Sequence, residues 1–248
     1  MKITYSILGL LFISILVTWT QIPDISSDNR TITNLPWIIK TDDQGGSSIF
    51  GLEIGKATAR QAQVLFNNEA EFAIFLDNNG HQSLEAFFNY AQIAGLQARV
   101  TLILETNPAE LESLASQAIE KKGQQSNSYK LVLPTDLNEN LLGHHFSSLT
   151  YQPKIKIEQD VLQARFGNPE EVKMVNEQIQ QWLYPKKGLS ILLAEDEKPV
   201  FQYVRPDQFD SYFGAKQKEN RSDNNEQVLT NTHPQTEQEK EGQDIGKN

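Results

Sequence analysis

The sequence predicts an α+β protein in which two tandem helix-plus-antiparallel-sheet units follow one N-terminal transmembrane helix. Three observations predict this fold class. Residues 3–19 are almost wholly apolar or small. Two short helical patterns each end at a phenylalanine, and runs of β-forming residues with turn signals between them follow each pattern. The chain has 248 residues, of which 38% are hydrophobic, and this is enough for a sizeable core.

The N-terminal apolar run is typical of a membrane anchor. It reaches the lower end of the roughly 17–25 residues that span a bilayer and exceeds the roughly 7–15 residues of a secretory signal core. Lys2 precedes the run, and Asp24 and Asp28 follow it, which favours a cytoplasmic N-terminus. We therefore expect residues 1–20 to form a signal-anchor helix that contacts the membrane through residues 3–19. The protein would be a single-pass inner-membrane protein with its body in the periplasm. The alternative is secretion to the periplasm after signal cleavage.

The remaining chain divides by composition. Residues 21–36 contain two prolines among polar residues and predict a linker. Residues 37–134 and 135–213 are the expected first and second α+β units. Residues 214–248 hold too few apolar side chains to form a core, so we expect a disordered polar tail.

Helix and turn signals define the first unit. Thr58 and Gln61 form a capping box before a helix that ends at Phe66. Strands at 72–77 and 83–90 flank the hairpin turn Asn78-Asn79-Gly80, and another strand covers 96–104. A further helix is expected to begin at Asn107-Pro108 and to end at Lys121-Lys122-Gly123.

The second unit repeats this order. A helix over 158–166 is expected to bury Val161, Leu162 and Phe166, and strands are expected near 172–175, 179–184, 189–194 and 200–204. Phe66 is followed by Asn67-Asn68, and Phe166 by Gly167-Asn168-Pro169. Both sequences are typical of a helix that ends in a left-handed cap. The shared order predicts a structural duplication.

The second unit also carries a family resemblance. Residues 157–169, followed by Gln181-Trp182-Leu183-Tyr184, resemble the helix, Phe-Gly-x-Pro turn and Trp-x-Tyr strand of the small BamE/SmpA-type envelope lipoproteins. Residues 51–66 echo the opening of that module without its Gly-x-Pro turn. The whole chain is also similar to uncharacterised membrane-anchored envelope proteins of Gram-negative bacteria. The resemblance implies tandem modules in the bacterial cell envelope, although the lipid-modified cysteine of those lipoproteins is missing here.

Composition and motifs exclude several kinds of chemistry. The net charge of −10 opposes nucleic-acid binding, and the absence of cysteine excludes disulfides and thiolate sites. His144-His145 has no second cluster of metal ligands, and Ser147 behind it lacks a nucleophile elbow. We therefore predict no catalytic residues, no cofactor, no metal and no enzyme.

Aromatic residues on predicted strands are the candidate partner-binding residues, namely Phe87, Phe88, Trp182 and Tyr184. Phe87 and Phe88 are adjacent in a strand, so their side chains point to opposite faces. The function that we predict is that of a non-enzymatic envelope protein, which binds an unknown protein partner or stabilises an envelope assembly through its sheet faces. The alternatives are an envelope hydrolase and a small-ligand carrier in the groove between the units.

The anchor prediction has a direct test. Because residues 3–19 are long enough to span the bilayer, the full chain should stay in membranes after a carbonate wash and should keep its own N-terminal sequence. A soluble product that begins near Gln21 would instead identify a cleaved signal peptide.

Overall fold

Most strands of this protein join one large antiparallel sheet. The computed structural model describes residues 34–77, 80–124 and 128–214. In this part of the chain, ten strands form the large sheet, and their bounds are β4 Glu71–Leu76, β5 Gln82–Ile93, β6 Leu96–Leu104, β7 Glu120–Gly123, β8 Tyr129–Val132, β9 Phe146–Pro153, β10 Glu171–Met174, β11 Ile179–Tyr184, β12 Leu189–Ala194 and β13 Val200–Val204. They pair in the order β10-β11-β12-β13-β9-β6-β5-β4-β8-β7.

A small sheet and short helices accompany the large sheet. The small sheet contains β1 Ile39–Thr41, β2 Ser47–Ile49 and β3 Leu52–Glu53, in that order. The described helices are α1 Ala59–Phe66, α2 Pro108–Ser116, α3 Asn138–Leu141, α4 Gln159–Phe166 and α5 Phe209–Phe213. Three one-turn 3-10 helices lie at Thr135–Leu137, Pro185–Lys187 and Pro206–Gln208.

The predicted fold class of two tandem units is wrong, because both halves of the chain contribute to a single sheet. Strand β9 pairs with β6 on one side and with β13 on the other. The sheet therefore continues without a break from the strands of the first half into those of the second. Residues 1–33, which include the expected membrane helix, lie outside the described residues. Among the described helices, none has the length and apolar character that a membrane crossing requires.

Several local predictions are confirmed. Thr58 caps α1 by accepting a hydrogen bond from the Gln61 backbone N–H at 3.3 Å, and the Gln61 side chain accepts one from the Thr58 N–H at 2.9 Å. This is the capping box that the sequence predicts. The predicted strand bounds for β6, β11, β12 and β13 agree with the structure, and β4 and β5 form the predicted hairpin.

The predicted helix after Asn107 is shorter than expected. Asn107 caps it as predicted, but α2 ends at Ser116, and the stretch predicted as its cationic last turn is strand β7. The side chains of Ser116 and Gln117 both donate hydrogen bonds to the Ser113 carbonyl, one of the carbonyls in the last turn of α2. Pairing of β7 with β8 then overrides the local helical signal.

The prediction for α4 is correct in position and partly wrong in burial. Leu162 and Phe166 are buried, as expected from their spacing of four residues on one helix face. Val161 is 43% exposed, because it lies one residue, and therefore about 100° of helix rotation, away from Leu162.

A row of aromatic rings fills the core between the helices and the sheet. Successive ring centroids lie 5.1–6.4 Å apart along the order Phe88, Phe66, Phe50, Tyr151, Phe201, Phe166 and Tyr184. The two phenylalanines that end α1 and α4 are members of the row. Phe50 lies in the turn between β2 and β3, where both Phe50 (φ 57°) and Gly51 (φ 87°) have positive φ. The core is therefore continuous from one half of the chain to the other.

The ends of α1 and α4 differ in backbone conformation. Asn67 has φ 47° and ψ 46°, which is the predicted left-handed cap. Gly167 has φ 80° and ψ −175°, so the prediction of a left-handed cap is wrong in ψ, although φ is positive. That region is almost restricted to glycine. A Cβ added at Gly167 would have no atom within 4 Å, so a substitution there would act through the backbone alone.

We expect Gly167→Val to lower the free energy of unfolding by about 1–3 kcal/mol, because a β-branched residue rarely adopts this conformation. Asn67→Gly should be neutral or mildly stabilising, because glycine adopts the left-handed conformation with less strain than asparagine. Urea denaturation of both variants measures the difference. Equal midpoints for wild type and Gly167→Val would contradict the assigned backbone conformation.

Candidate functional site

The two faces of the large sheet differ in how they are covered. The apolar residues of α1, α2, α3 and α4 and of the small sheet join the core on one face. On the other face, the described helix that packs is α5, through Phe209 against Leu183 and Val204. We call the part of this second face on strands β4, β5, β6 and β8 the open face, because the apolar residues of the described helices do not pack there. Its charged and aromatic side chains are those of Glu71, Phe75, Glu85, Phe87, Arg99 and Lys130, and the smaller or apolar side chains of Ala73, Ser83, Thr101, Ile103 and Val132 lie between them.

The candidate partner-binding residues lie on both faces. Phe88, Trp182 and Tyr184 are buried in the core. Phe87 is half-buried on the open face, directly between Glu71 on β4 and Thr101 on β6. The prediction that Phe87 and Phe88 point to opposite faces is confirmed, and the structure identifies Phe87 as the one that faces away from the core.

Phe87 is part of a small cluster of aromatic and charged side chains. Its ring centroid lies 5.6 Å from that of Phe75, with an angle of 48° between the ring planes. The Lys130 Nζ lies 4.6 Å from the Phe87 ring centroid, which is the geometry of a cation–π contact. Burial lowers the pKa of Lys130, and the nearby carboxylates of Glu71 and Glu85 offset part of this effect. The cluster therefore combines two half-buried rings with a partly desolvated ammonium group.

A shielded carboxyl group lies beside this cluster. Glu85 sits between Ala73 and Ile103 in the sheet, and Ser83 Oγ donates a hydrogen bond to its Oε1 at 2.8 Å. Burial raises the pKa of Glu85 to about 7, while the Ser83 hydrogen bond and the Lys130 charge act in the opposite direction. Glu85 can therefore exchange a proton near neutral pH.

The end of the face that lies next to β9 is basic. Burial lowers the pKa of Lys154, and repulsion from Arg99 and Lys198 lowers it further. The Lys154 Nζ also lies 5.7 Å from the ring centroid of Tyr90, which is 63% exposed. Three cations and an exposed ring thus lie close together at this end of a chain that is acidic overall.

The histidine pair contributes to structure. His144 Nδ1 bonds to the Glu105 carbonyl at 2.9 Å, and its Nε2 lies 3.2 Å from Glu110 Oε1. His145 Nδ1 bonds to the Lys56 carbonyl, whereas Ser147 Oγ accepts a hydrogen bond from the Tyr212 hydroxyl at 3.1 Å. These bonds join the start of β9 to its neighbours. In the described ranges, no three histidine or acidic side chains converge in a way that could hold a metal ion.

Sequence reasoning identified Phe87 but missed its neighbours. The sequence predicts a strand over 72–77 that contains Phe75 but does not show which face of the sheet Phe75 occupies. It does not predict β8, the strand that carries Lys130. The alternation of Glu85 and Phe87 with Leu84, Ala86 and Phe88 was the available signal, since it separates two sides of one strand. It does not show which strands lie next to β5.

No protein-family model, curated protein or solved structure matches this chain. The resemblance to BamE/SmpA-type modules therefore stays a prediction.

The shielded carboxyl predicts a pH-dependent stability. The folded state keeps a proton on Glu85 up to about pH 7, whereas the unfolded chain releases it near pH 4.5. The contribution of protonated Glu85 to the free energy of unfolding is therefore fully present below pH 4.5 and is lost as the pH rises through 7. Glu85→Gln cannot ionise, so it should not show this loss. The difference in free energy of unfolding between Glu85→Gln and wild type should therefore shift in favour of the variant by on the order of 1–3 kcal/mol between about pH 5 and about pH 8.

Urea denaturation of both proteins at the two pH values measures the effect. Glu112→Gln, which removes an exposed carboxyl group from α2, is the matched control for the change of side chain itself. Parallel pH profiles for wild type and Glu85→Gln would contradict the assignment.

Proposed function

We propose that this chain is a non-enzymatic protein of the cell envelope that binds a protein partner through the open face of its sheet. The observation that carries the proposal is the Phe75–Phe87 ring pair with Lys130 over it, on the side of the sheet away from the helix-covered core. The N-terminal segment would hold this face in the periplasm.

The composition of the face supports a protein partner. Aromatic side chains and arginine are enriched at protein interfaces, where a ring that is half-buried beforehand loses little conformational freedom on binding. Phe87 lies between polar neighbours, Glu71 and Thr101, which is the arrangement of an apolar contact inside a polar rim.

The charges of the face indicate the chemistry of the partner. Lys130 lies beside Phe87. Arg99 precedes Thr101 by two residues in β6, so both side chains lie on the same face of the sheet. A complementary surface would place an apolar side chain on Phe87 and carboxylates opposite the cations. Such a complex should weaken as the salt concentration rises.

The alternative functions have less support. A hydrolase that used His145 and Ser147 would need the two side chains to face each other, and each is hydrogen-bonded elsewhere. A carrier would need a cavity of roughly 300–1,000 Å³. Among the described residues, the depression lined by Asn34, Leu65, Gln92, Ile93 and Ala94 has a volume of about 110 Å³, which is below this range, so this depression does not support a carrier.

Site-specific photo-crosslinking in cells tests the proposal. A photo-reactive amino acid at Thr101, next to Phe87, should give a discrete adduct with another protein. The adduct should decrease at least about fivefold when Phe87→Ala is added, because the apolar anchor is lost. The matched control is the same amino acid at Val64, which is 77% exposed on α1 and lies away from the open face.

Equal adducts at both positions, or an adduct at Thr101 that does not depend on Phe87, would contradict binding through this face. The free energy of unfolding of the Phe87→Ala protein must stay within about 1 kcal/mol of wild type, so that a lost adduct reports binding and not unfolding.

A further inference from the structure

The large sheet has two terminal strands, β7 and β10, whose outer edges pair with no other described strand. An outer edge presents unpaired backbone N–H and C=O groups and can accept another strand. The two edges of this sheet differ in their side chains.

Strand β7 is protected against pairing with a second copy of itself. The backbone N–H of Gln124 bonds to the Ser128 carbonyl on the side of the neighbouring β8. Successive residues of a strand direct their backbone N–H and C=O groups to opposite sides, so those of Lys121, three residues earlier, point toward the outer edge. Two-fold pairing about Lys121 would place two ammonium groups directly opposite each other, which is destabilising. Lysine on an edge strand is a common means of preventing such pairing.

Strand β10 presents a different edge. The backbone N–H of Val175 bonds to the Ile179 carbonyl at 2.9 Å, and in this register Glu171 and Lys173 point their backbone groups toward β11. The backbone groups of Val172 and Met174 therefore face the outer edge. Their side chains are 51% and 59% exposed.

The charges of β10 complement themselves in one register. In antiparallel pairing about a two-fold axis at Val172, each Val172 would exchange two backbone hydrogen bonds with the other Val172. Glu171 would lie opposite Lys173 of the second copy, and Lys173 opposite its Glu171. These positions are non-hydrogen-bonded pairs, where side chains are closest. Within one chain, the Lys173 Nζ already lies 3.6 Å from Glu171 Oε2 and donates a hydrogen bond to the Phe213 carbonyl at 3.3 Å. The two intrachain pairs would therefore meet as a group of four alternating charges, in which each Glu171 also faces a Lys173 of the second copy.

We propose that a second copy of this chain adds to the edge of β10 and joins two ten-stranded sheets into one. The pairing is antiparallel, is centred on Val172 and is held by the two backbone hydrogen bonds between the Val172 residues, with two Glu171–Lys173 pairs. The contact is small compared with stable interfaces of about 1,200–2,000 Å², so the dimer is weak, with a Kd on the order of 10 µM to 1 mM.

Sedimentation of the full chain tests this pairing. The wild type should show a concentration-dependent dimer at about 100 µM. Glu171→Lys alone and Lys173→Glu alone should each weaken dimerisation at least about tenfold, because each sets like charges opposite each other twice. An equimolar mixture of the two variants should restore the dimer, since both pairs then become attractive. Glu120→Lys on β7 is the matched control and should not affect the dimer.

A separate variant tests the backbone contribution. Val172→Pro removes an N–H that faces the outer edge and leaves the bonds to β11 intact, so it should abolish the dimer while the urea midpoint stays close to wild type. A monomeric wild type, a dimer that both charge variants leave unchanged, or a mixture that fails to restore it would overturn the proposal. A chain that dimerises only when truncated after Gly214 would also overturn it, since its own C-terminal segment would then cover the edge.

Discussion

The contact on which the rest of the fold depends is the insertion of Phe50 into the row of aromatic rings. The Phe50 ring touches Phe66 from the first half of the chain and Tyr151 and Tyr203 from strands β9 and β13. Its positive φ costs a non-glycine residue about 1–2 kcal/mol. Burial of a phenylalanine side chain contributes about 1.5–3 kcal/mol, and each aromatic pair adds about 0.5–1.5 kcal/mol. Packing therefore outweighs the strain and fixes the small sheet over the centre of the large one.

The two faces of the large sheet differ in what they contribute to stability. The helix-covered face holds the aromatic row, and the Tyr203 hydroxyl donates a hydrogen bond to the Pro36 carbonyl across it at 2.8 Å. The open face instead holds two desolvated ionisable groups, Glu85 and Lys130, near Phe87. Such groups reduce stability where they are not fully compensated, and they are concentrated in proteins at sites that contact other molecules. The ionisable groups near Phe87 therefore differ from the solvent-exposed charges of the sheet in that burial shifts their pKa values.

The sequence predicted the features that local interactions determine. The capping box of α1 and the hairpin of β4 and β5 were predicted correctly because their signals lie within a few residues of one another. The single sheet could not be predicted, because it depends on β9 pairing with strands about 50 residues away on both sides. Strand β9 was not recognised, although Leu149 and Tyr151 alternate with polar residues there. In the same way, the sequence predicted that Phe87 and Phe88 face opposite sides but not which side is covered.

The central position of β9 imposes an order on folding during synthesis. Ala98 of β6 pairs with Pro153, so β6 keeps an unpaired edge until the ribosome has released residues 146–153. Until then the nascent chain exposes a β-branched, apolar strand, which is a typical site of aggregation. Contacts between such distant segments also slow folding. The first half of the molecule therefore completes its sheet only after a large part of the second half has been made.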